Sequence, residues 1–328
     1  MAPVLSIEDL TVSFSQPDRS IFAVRQVSLA VAARECVAIV GESGSGKTQI
    51  FMAAMGLLAG NAAAQGSVRF EGGEILGAPA SQLNRIRGSK LSMIFQDPMT
   101  SLTPHLKIGT QLAEVLVCHA GKSWSEARIA ARRMLERVRV PEPGRRLNQY
   151  PHELSGGLRQ RVMIGMSLLC DPKLVIADEP TTALDVTVQA QIIDLLRAMR
   201  EEVGMALVLI SHDLGVVAGL ADRVVVMYAG RVVEQGPVDR VFARPAHPYT
   251  RGLLASVPTR GTVGALLVPI PGAPPNPTAM PEGCAFHPRC PLAEDRCRDE
   301  VPPLRDIAAE QRVACVRAEH AIDWSPSS

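Results

Sequence analysis

The chain has 328 residues, room for two domains at roughly 150 residues each, and it is long enough to bury a core without disulfides. Apolar residues make up 47 % and charged residues 20 %, which excludes a disordered chain. Thirty-four Lys and Arg against 33 Asp and Glu leave a formal charge of +1, which excludes wrapping a nucleic acid by bulk charge.

The opening MAPVLSIEDL lacks a basic end followed by an apolar stretch, so no secretory signal is expected. No apolar run reaches the roughly 18 residues of a spanning helix. The reading is a cytoplasmic protein; if it works at a membrane, another chain crosses it. Seven cysteines in that compartment do not make a disulfide framework. Over the first 245 residues or so, short apolar runs alternate with helical patterns. The runs Cys36 to Val40, Leu174 to Ala177, Ala206 to Ile210 and Val224 to Met227 read as strands buried on both faces. The expected class is therefore α/β with a parallel sheet.

The first run enters Gly41-Glu42-Ser43-Gly44-Ser45-Gly46-Lys47-Thr48, and a helical pattern follows. This is G-x-x-x-x-G-K-[ST] in its strand–loop–helix setting. Glycines let the backbone curl until several N–H groups point inward and meet phosphate oxygens at a helix start. Lys47 would place its charge on the β- and γ-phosphates, and the Thr48 hydroxyl would ligate Mg²⁺. From Gln96 to Tyr150 the pattern turns helical. Ser123 and Glu126 form a capping box, and Ala127, Met134, Leu135 and Val138 form an apolar stripe among charged neighbours. That region reads as a helical insertion. The run Leu174 to Ala177 ends in Asp178-Glu179-Pro180. Asp178 could hold Mg²⁺, and Glu179 could act as general base toward a water.

From Arg244 onward proline becomes dense, including Pro245, Pro248, Pro258, Pro275 and Pro277. A boundary is expected near residue 245, followed by a loop-rich module. It carries Cys284, Cys290, Cys297 and Cys315, with five, six and seventeen residues between neighbours. Zinc knuckles use tighter C-x₂₋₄-C spacing. Four thiolates can hold a [4Fe–4S] cluster. Cluster, zinc and free thiols all remain open from the residues alone, and His287 could replace one thiol.

Leu154-Ser155-Gly156-Gly157-Leu158-Arg159-Gln160-Arg161 resembles the signature sequence of ABC ATPases. It is a second glycine-rich helix start, and no N-K-x-D guanine-reading motif accompanies it. Leu158 stands where the family usually has Gln. The match is closest to ATPase subunits of oligopeptide and dipeptide importers, the peptide/nickel group. It is carried by Met93-Ile94-Phe95-Gln96-Asp97-Pro98-Met99-Thr100-Ser101-Leu102, by Ala177 to Gln191, by His247-Pro248-Tyr249-Thr250-Arg251 and by Gly283 to Pro291. Thr103 departs from the family's usual Asn. The resemblance covers Val4 to about Ala318.

That resemblance implies a P-loop NTPase ABC cassette: a RecA-like core at 1–245 with a helical subdomain at about 97–165, then a small Cys-containing module at 246–328. It implies ATP and Mg²⁺ as ligands, with Ser155, Gly156 and Gly157 facing the γ-phosphate of a partner subunit. Gln96 matches the glutamine that senses Mg²⁺ and water. Ala183-Leu184-Asp185 matches the loop that crosses the dimer interface. His212 matches the histidine that contacts the γ-phosphate, and Phe14 the aromatic that stacks on adenine. Members are thought to carry an iron–sulfur cluster on the four cysteines. The implied function is a translocase-class ATPase that drives peptide uptake from the cytoplasmic face of the inner membrane. Implied partners are two membrane permeases, a second ATPase subunit (a paralogue) and an extracytoplasmic peptide-binding protein, with no nucleic acid. The alternative is a regulatory or non-transport ABC ATPase.

Overall fold

The computed structural model of the protein describes residues 2–97, 101–182, 184–256 and 269–323. Ala183, Pro98, Met99, Thr100 and Pro258, named above, lie outside them. The described strands are β1 (Leu5–Gln16), β2 (Arg19–Val31), β3 (Cys36–Val40), β4 (Ala62–Phe70), β5 (Gly73–Glu74), β6 (Leu91–Ile94), β7 (Leu174–Asp178), β8 (Ala206–Ile210), β9 (Arg223–Tyr228), β10 (Arg231–Pro237), β11 (Arg305–Ala308) and β12 (Gln311–Val313). The chain divides into two compact units, each built from separated stretches.

The first unit comprises residues 1–4, 31–36 and 78–210. Its strands β6, β7 and β8 are parallel, with Ile94 opposite Ala177 and Asp178 opposite Ile210. Every residue of β7 and β8 is buried. Each Val, Leu or Ile so placed contributes about 1.5–3 kcal/mol, which explains runs with no polar alternation. Helices Ile108–Ala120 and Trp124–Arg137 form within the stretch read as helical, and Gly156–Leu168 follows beyond it. Ser123 accepts from the Glu126 N–H, and the Glu126 carboxylate accepts from the Ser123 N–H, so the expected capping box is present. Ala127, Met134, Leu135 and Val138 are buried, while Arg128, Arg132, Arg133 and Glu136 are exposed.

The second unit comprises residues 5–30, 37–77 and 211–328. One of its sheets is antiparallel, in the order β2-β1-β4-β5. The parallel-sheet reading does not extend to it. Its strands alternate between buried and exposed positions, as in an antiparallel sheet with one wet face. In the other sheet β3 runs parallel to β9, β10 returns antiparallel to β9, and β12 and β11 continue antiparallel beyond it. The tail, expected to be loop-rich, thus adds a two-stranded ribbon through Glu234–Val313 pairing. These strands have three and four residues, too few to show a period.

Candidate functional site

In the second unit, β3 delivers the chain into the loop 41–48, and the helix Lys47–Ala54 leaves it. Gly46 has φ +93°, and a Cβ there would lie 2.2 Å from the Ala23 carbonyl oxygen. Only glycine fits so close to another backbone. Ser43 and Gly44 are exposed, while Ser45, Gly46 and Lys47 are buried. The Lys47 ammonium donates to the Gly41 carbonyl at 2.8 Å and to the Glu42 carbonyl at 3.0 Å. Its charge is thereby held at the loop, where phosphates would replace or share the carbonyl contacts. Thr48 follows at the start of the helix, half-buried.

Beside the loop lies a cavity of 260 Å³, walled by Phe22, Ser43, Gly44, Ser45, Pro275 and Met280 among others. Phe22 was not singled out by the sequence. Its ring also carries the Arg25 guanidinium at 5.2 Å. Phe14, the aromatic suggested by resemblance, pairs opposite Ala62 in β1 and is not among the residues that wall this cavity. His212 belongs to the same unit and is exposed. The preceding Ser211 N–H donates to Ile39 of β3 at 3.2 Å, and Asp213 caps the next helix through Gly215 and Val216.

In the first unit, Gln96 follows β6 and Glu179 follows β7, so the neighbouring strands bring them together. Gln96 Nε2 donates to Glu179 Oε2 at 2.8 Å, and Thr182 Oγ1 donates to the same oxygen at 2.8 Å. Thr182 was not named by the sequence reading. Glu179 has φ +46°, a left-handed backbone costing about 1–2 kcal/mol in a residue with a Cβ. Such strain is retained where a side chain must point in one direction. Asp178, one residue earlier, is buried. Its carboxylate and the Gln96 amide are the hard oxygen donors that Mg²⁺ takes.

Ser155 caps the helix Gly156–Leu168 by accepting from the Leu158 N–H at 3.4 Å, and its side chain is exposed. A Cβ on Gly157 would meet a Val188 methyl at 2.8 Å, so a larger residue there would have to displace that side chain. Asp185 caps the helix Val186–Val203 by accepting from the Val188 N–H at 2.9 Å. Val186 beside it is 84 % exposed.

Cys284, Cys290, Cys297 and Cys315, all in the second unit, wall one cavity with His247, Phe286 and His287. Burial pushes the Cys290 thiol up to about 11 and the Cys315 thiol up to about 12, and raises Cys284 as well. Among the described residues, no group of three or more His, Cys, Asp or Glu side chains is arranged to hold a metal ion. Four thiols are a donor set that a [4Fe–4S] cluster could take. The cavity measures only about 10 Å³, close to one water. A cluster would therefore need the walls to open.

An aromatic group sits between these thiols and the phosphate loop. Tyr228, Tyr249 and Phe286 pack with ring centroids 4.6–5.4 Å apart. His247 is buried, and its Nδ1 accepts from the Tyr249 N–H at 3.1 Å. Burial pushes its imidazole down to about 3. As pH falls below 6.5 the unfolded chain takes up a proton that the folded chain refuses, so stability drops between pH 6.5 and about 3. Buried Glu234, which accepts from the His247 N–H, is raised by desolvation and acts in the opposite sense above 4.5. Replacing His247 with Asn keeps an N-cap acceptor and removes the titration. The expected result is a wild-type minus H247N difference in Tm that grows more negative from pH 7 to pH 4. Parallel Tm curves would sink this account.

The ABC transporter family matches residues 24–182, and the oligopeptide/dipeptide transporter C-terminal region matches residues 233–297. The oligopeptide transport ATP-binding protein OppD of Salmonella typhimurium is 52 % identical over 314 residues, 96 % of this chain and 93 % of that protein. OppD of Haemophilus influenzae is 51 % identical over 298 residues, 91 % and 92 % of the two chains. Among solved structures, a dimeric ATP-binding cassette bound to ADP and phosphate is 29 % identical with a TM-score of 0.64, covering 71 % of this chain and 98 % of that one. CbiO1 of Clostridium perfringens, part of an ABC transporter complex, is 27 % identical with a TM-score of 0.62, covering 74 % and 92 %.

Proposed function

Because the chain belongs to the ABC transporter ATPases, in their oligopeptide/dipeptide branch, we propose how its own residues perform the work of a peptide importer's ATP-hydrolysing subunit. Membrane permeases are its partners, and it acts at the membrane periphery. No described helix is long and apolar enough to cross a membrane.

The observation that carries the chemistry is the Glu179 carboxylate, held by Gln96 and Thr182 on one oxygen at the end of a buried strand. Two donors fix its direction, so it can take the proton of an attacking water as general base. Loop N–H groups and Lys47 bind the β- and γ-phosphates. Thr48, Asp178 and Gln96 would hold Mg²⁺, which when bound neutralises phosphate charge. The cavity walled by Phe22 receives the adenine, with Phe22 in the stacking role that resemblance gave to Phe14. His212 orients the γ-phosphate. A second ATPase subunit, a paralogue, supplies the opposing helix start equivalent to Ser155, Gly156 and Gly157, and Asp185 lies at that junction. The exposed Ser155 and Val186 support such a face. The work is done at the cytoplasmic face of the inner membrane on peptide delivered by a binding protein. The functional division falls near residue 245, and the four cysteines after it hold a [4Fe–4S] cluster in a structural or sensory rather than catalytic role.

Two measurements test this. Reconstituted with its permeases in vesicles, the subunit should hydrolyse ATP faster when peptide and binding protein are present, and peptide should accumulate inside. Hydrolysis indifferent to permeases would sink the transport assignment. Purified without oxygen, the chain should carry about four iron and four sulfide and lose them in C290S. A colourless protein loaded with zinc would refute the cluster.

A further inference from the structure

Arg289 lies in the short helical turn His287–Arg289, between Cys284 and Cys290 of the thiol segment. Its side chain is 6 % exposed, and it reaches across to the phosphate loop. Nη1 and Nη2 donate to the two Glu42 carboxylate oxygens at 2.9 and 3.1 Å, a bidentate fork. Nε donates to the Pro271 carbonyl at 2.9 Å. Nη1 also reaches the Tyr228 hydroxyl at 3.3 Å, and Nη2 the Ile270 carbonyl at 3.5 Å. All five guanidinium donors thus have acceptors. The guanidinium also lies 5.9 Å from the ring centroids of Tyr228 and Phe286. A side chain so fully held is a rigid post rather than a mobile surface cation.

Glu42 is the second residue of the loop and is gripped at three points. Arg289 holds its carboxylate. The buried Tyr249 hydroxyl accepts its N–H at 2.8 Å. Its carbonyl accepts from Lys47 at 3.0 Å and from the Ser45 N–H at 3.2 Å. The carbonyl that steadies the phosphate-binding lysine is therefore oriented by a residue anchored from the tail at both its side chain and its N–H.

We propose that Arg289 is a positioning residue for ATP: through Glu42 it sets the phosphate loop in the shape that receives the triphosphate, which makes the four-thiol segment part of the nucleotide-binding apparatus. The inference rests on the loop being the nucleotide site. It differs from a merely structural role in what a lost contact changes. A misplaced loop binds nucleotide more weakly at every site. A partly unfolded population binds with normal affinity at fewer sites.

The test is titration of the full-length chain with a fluorescent ATP analogue, which reads Kd and sites per chain separately. R289Q and E42Q should each raise Kd about tenfold, which is ~1.4 kcal/mol, with sites per chain unchanged. Because the two residues act as one unit, the double variant should be no weaker than either single variant by more than about twofold. R289K, which keeps the charge but loses the fork, should lie between wild type and R289Q. Kd values within twofold of wild type in both single variants would overturn the proposal. So would fewer sites at unchanged Kd, or effects that multiply in the double variant. K47A separates the failures. If K47A still binds the analogue normally, the loop is not the nucleotide site; if only K47A weakens binding, the loop assignment stands and the role of Arg289 falls.

Discussion

Replacing Glu179 with Gln should lower ATP turnover of the assembled transporter by about 10²–10⁴-fold, the range of a lost general base. The substitution preserves shape. Gln96 and Thr182 both donate to Oε2, and an amide oxygen has two lone pairs for them. The left-handed backbone at φ +46° is also unchanged, since Glu and Gln share the same Cβ. What disappears is the ability to take a proton from water. ATP affinity should therefore stay within about threefold, and the nucleotide-loaded subunits should accumulate in the closed, paired state. Single-turnover hydrolysis together with sizing of the ATP-bound complex checks both statements. Turnover near the wild-type rate in E179Q would remove Glu179 from the chemistry.

Replacing Lys47 with Ala should weaken ATP binding by about 100-fold or more. Hydrogen bonds to charged groups contribute about 1.5–3 kcal/mol each, and in the proposed site the ammonium would serve two phosphates. The side chain is buried, with its ammonium on the Gly41 and Glu42 carbonyls. Removing it therefore also leaves two loop carbonyls without their cation. Equilibrium binding measures the loss, and the folded state is checked by an unchanged Tm without nucleotide to within a few degrees. Retained affinity would show that the triphosphate is bound elsewhere.

Much of this site can be read from local sequence. A strand buried on both faces has to be continuously apolar, so β3, β7, β8 and β9 stood out as runs, and the residues just beyond them were natural site positions. Glycines at Gly41, Gly44 and Gly46, all with positive φ, mark the loop through a backbone demand that acts residue by residue. The helix start at Ser123 was legible for the same reason, because a capping box is closed within four residues. The half-exposed strands β1, β2 and β4 were not recognised, since their alternation carries bulges and polar interruptions that blur a period of two.

The sequence alone therefore determined the local chemistry: which strands are buried, where a glycine-rich backbone curls at a helix start, and which carboxylates end a strand. Only tertiary structure decided which distant residues serve those places. Gln96 meets Glu179 across 83 residues, and Arg289 meets Glu42 across 247. Phe22 rather than Phe14 lines the cavity beside the loop. A hydrogen bond or ion pair between remote positions leaves no period and no spacing in the chain, because its partner is chosen by how the sheets and turns close in space. Nothing local in the chain marks Arg289 as a partner of Glu42; the fold buries it against the carboxylate it holds.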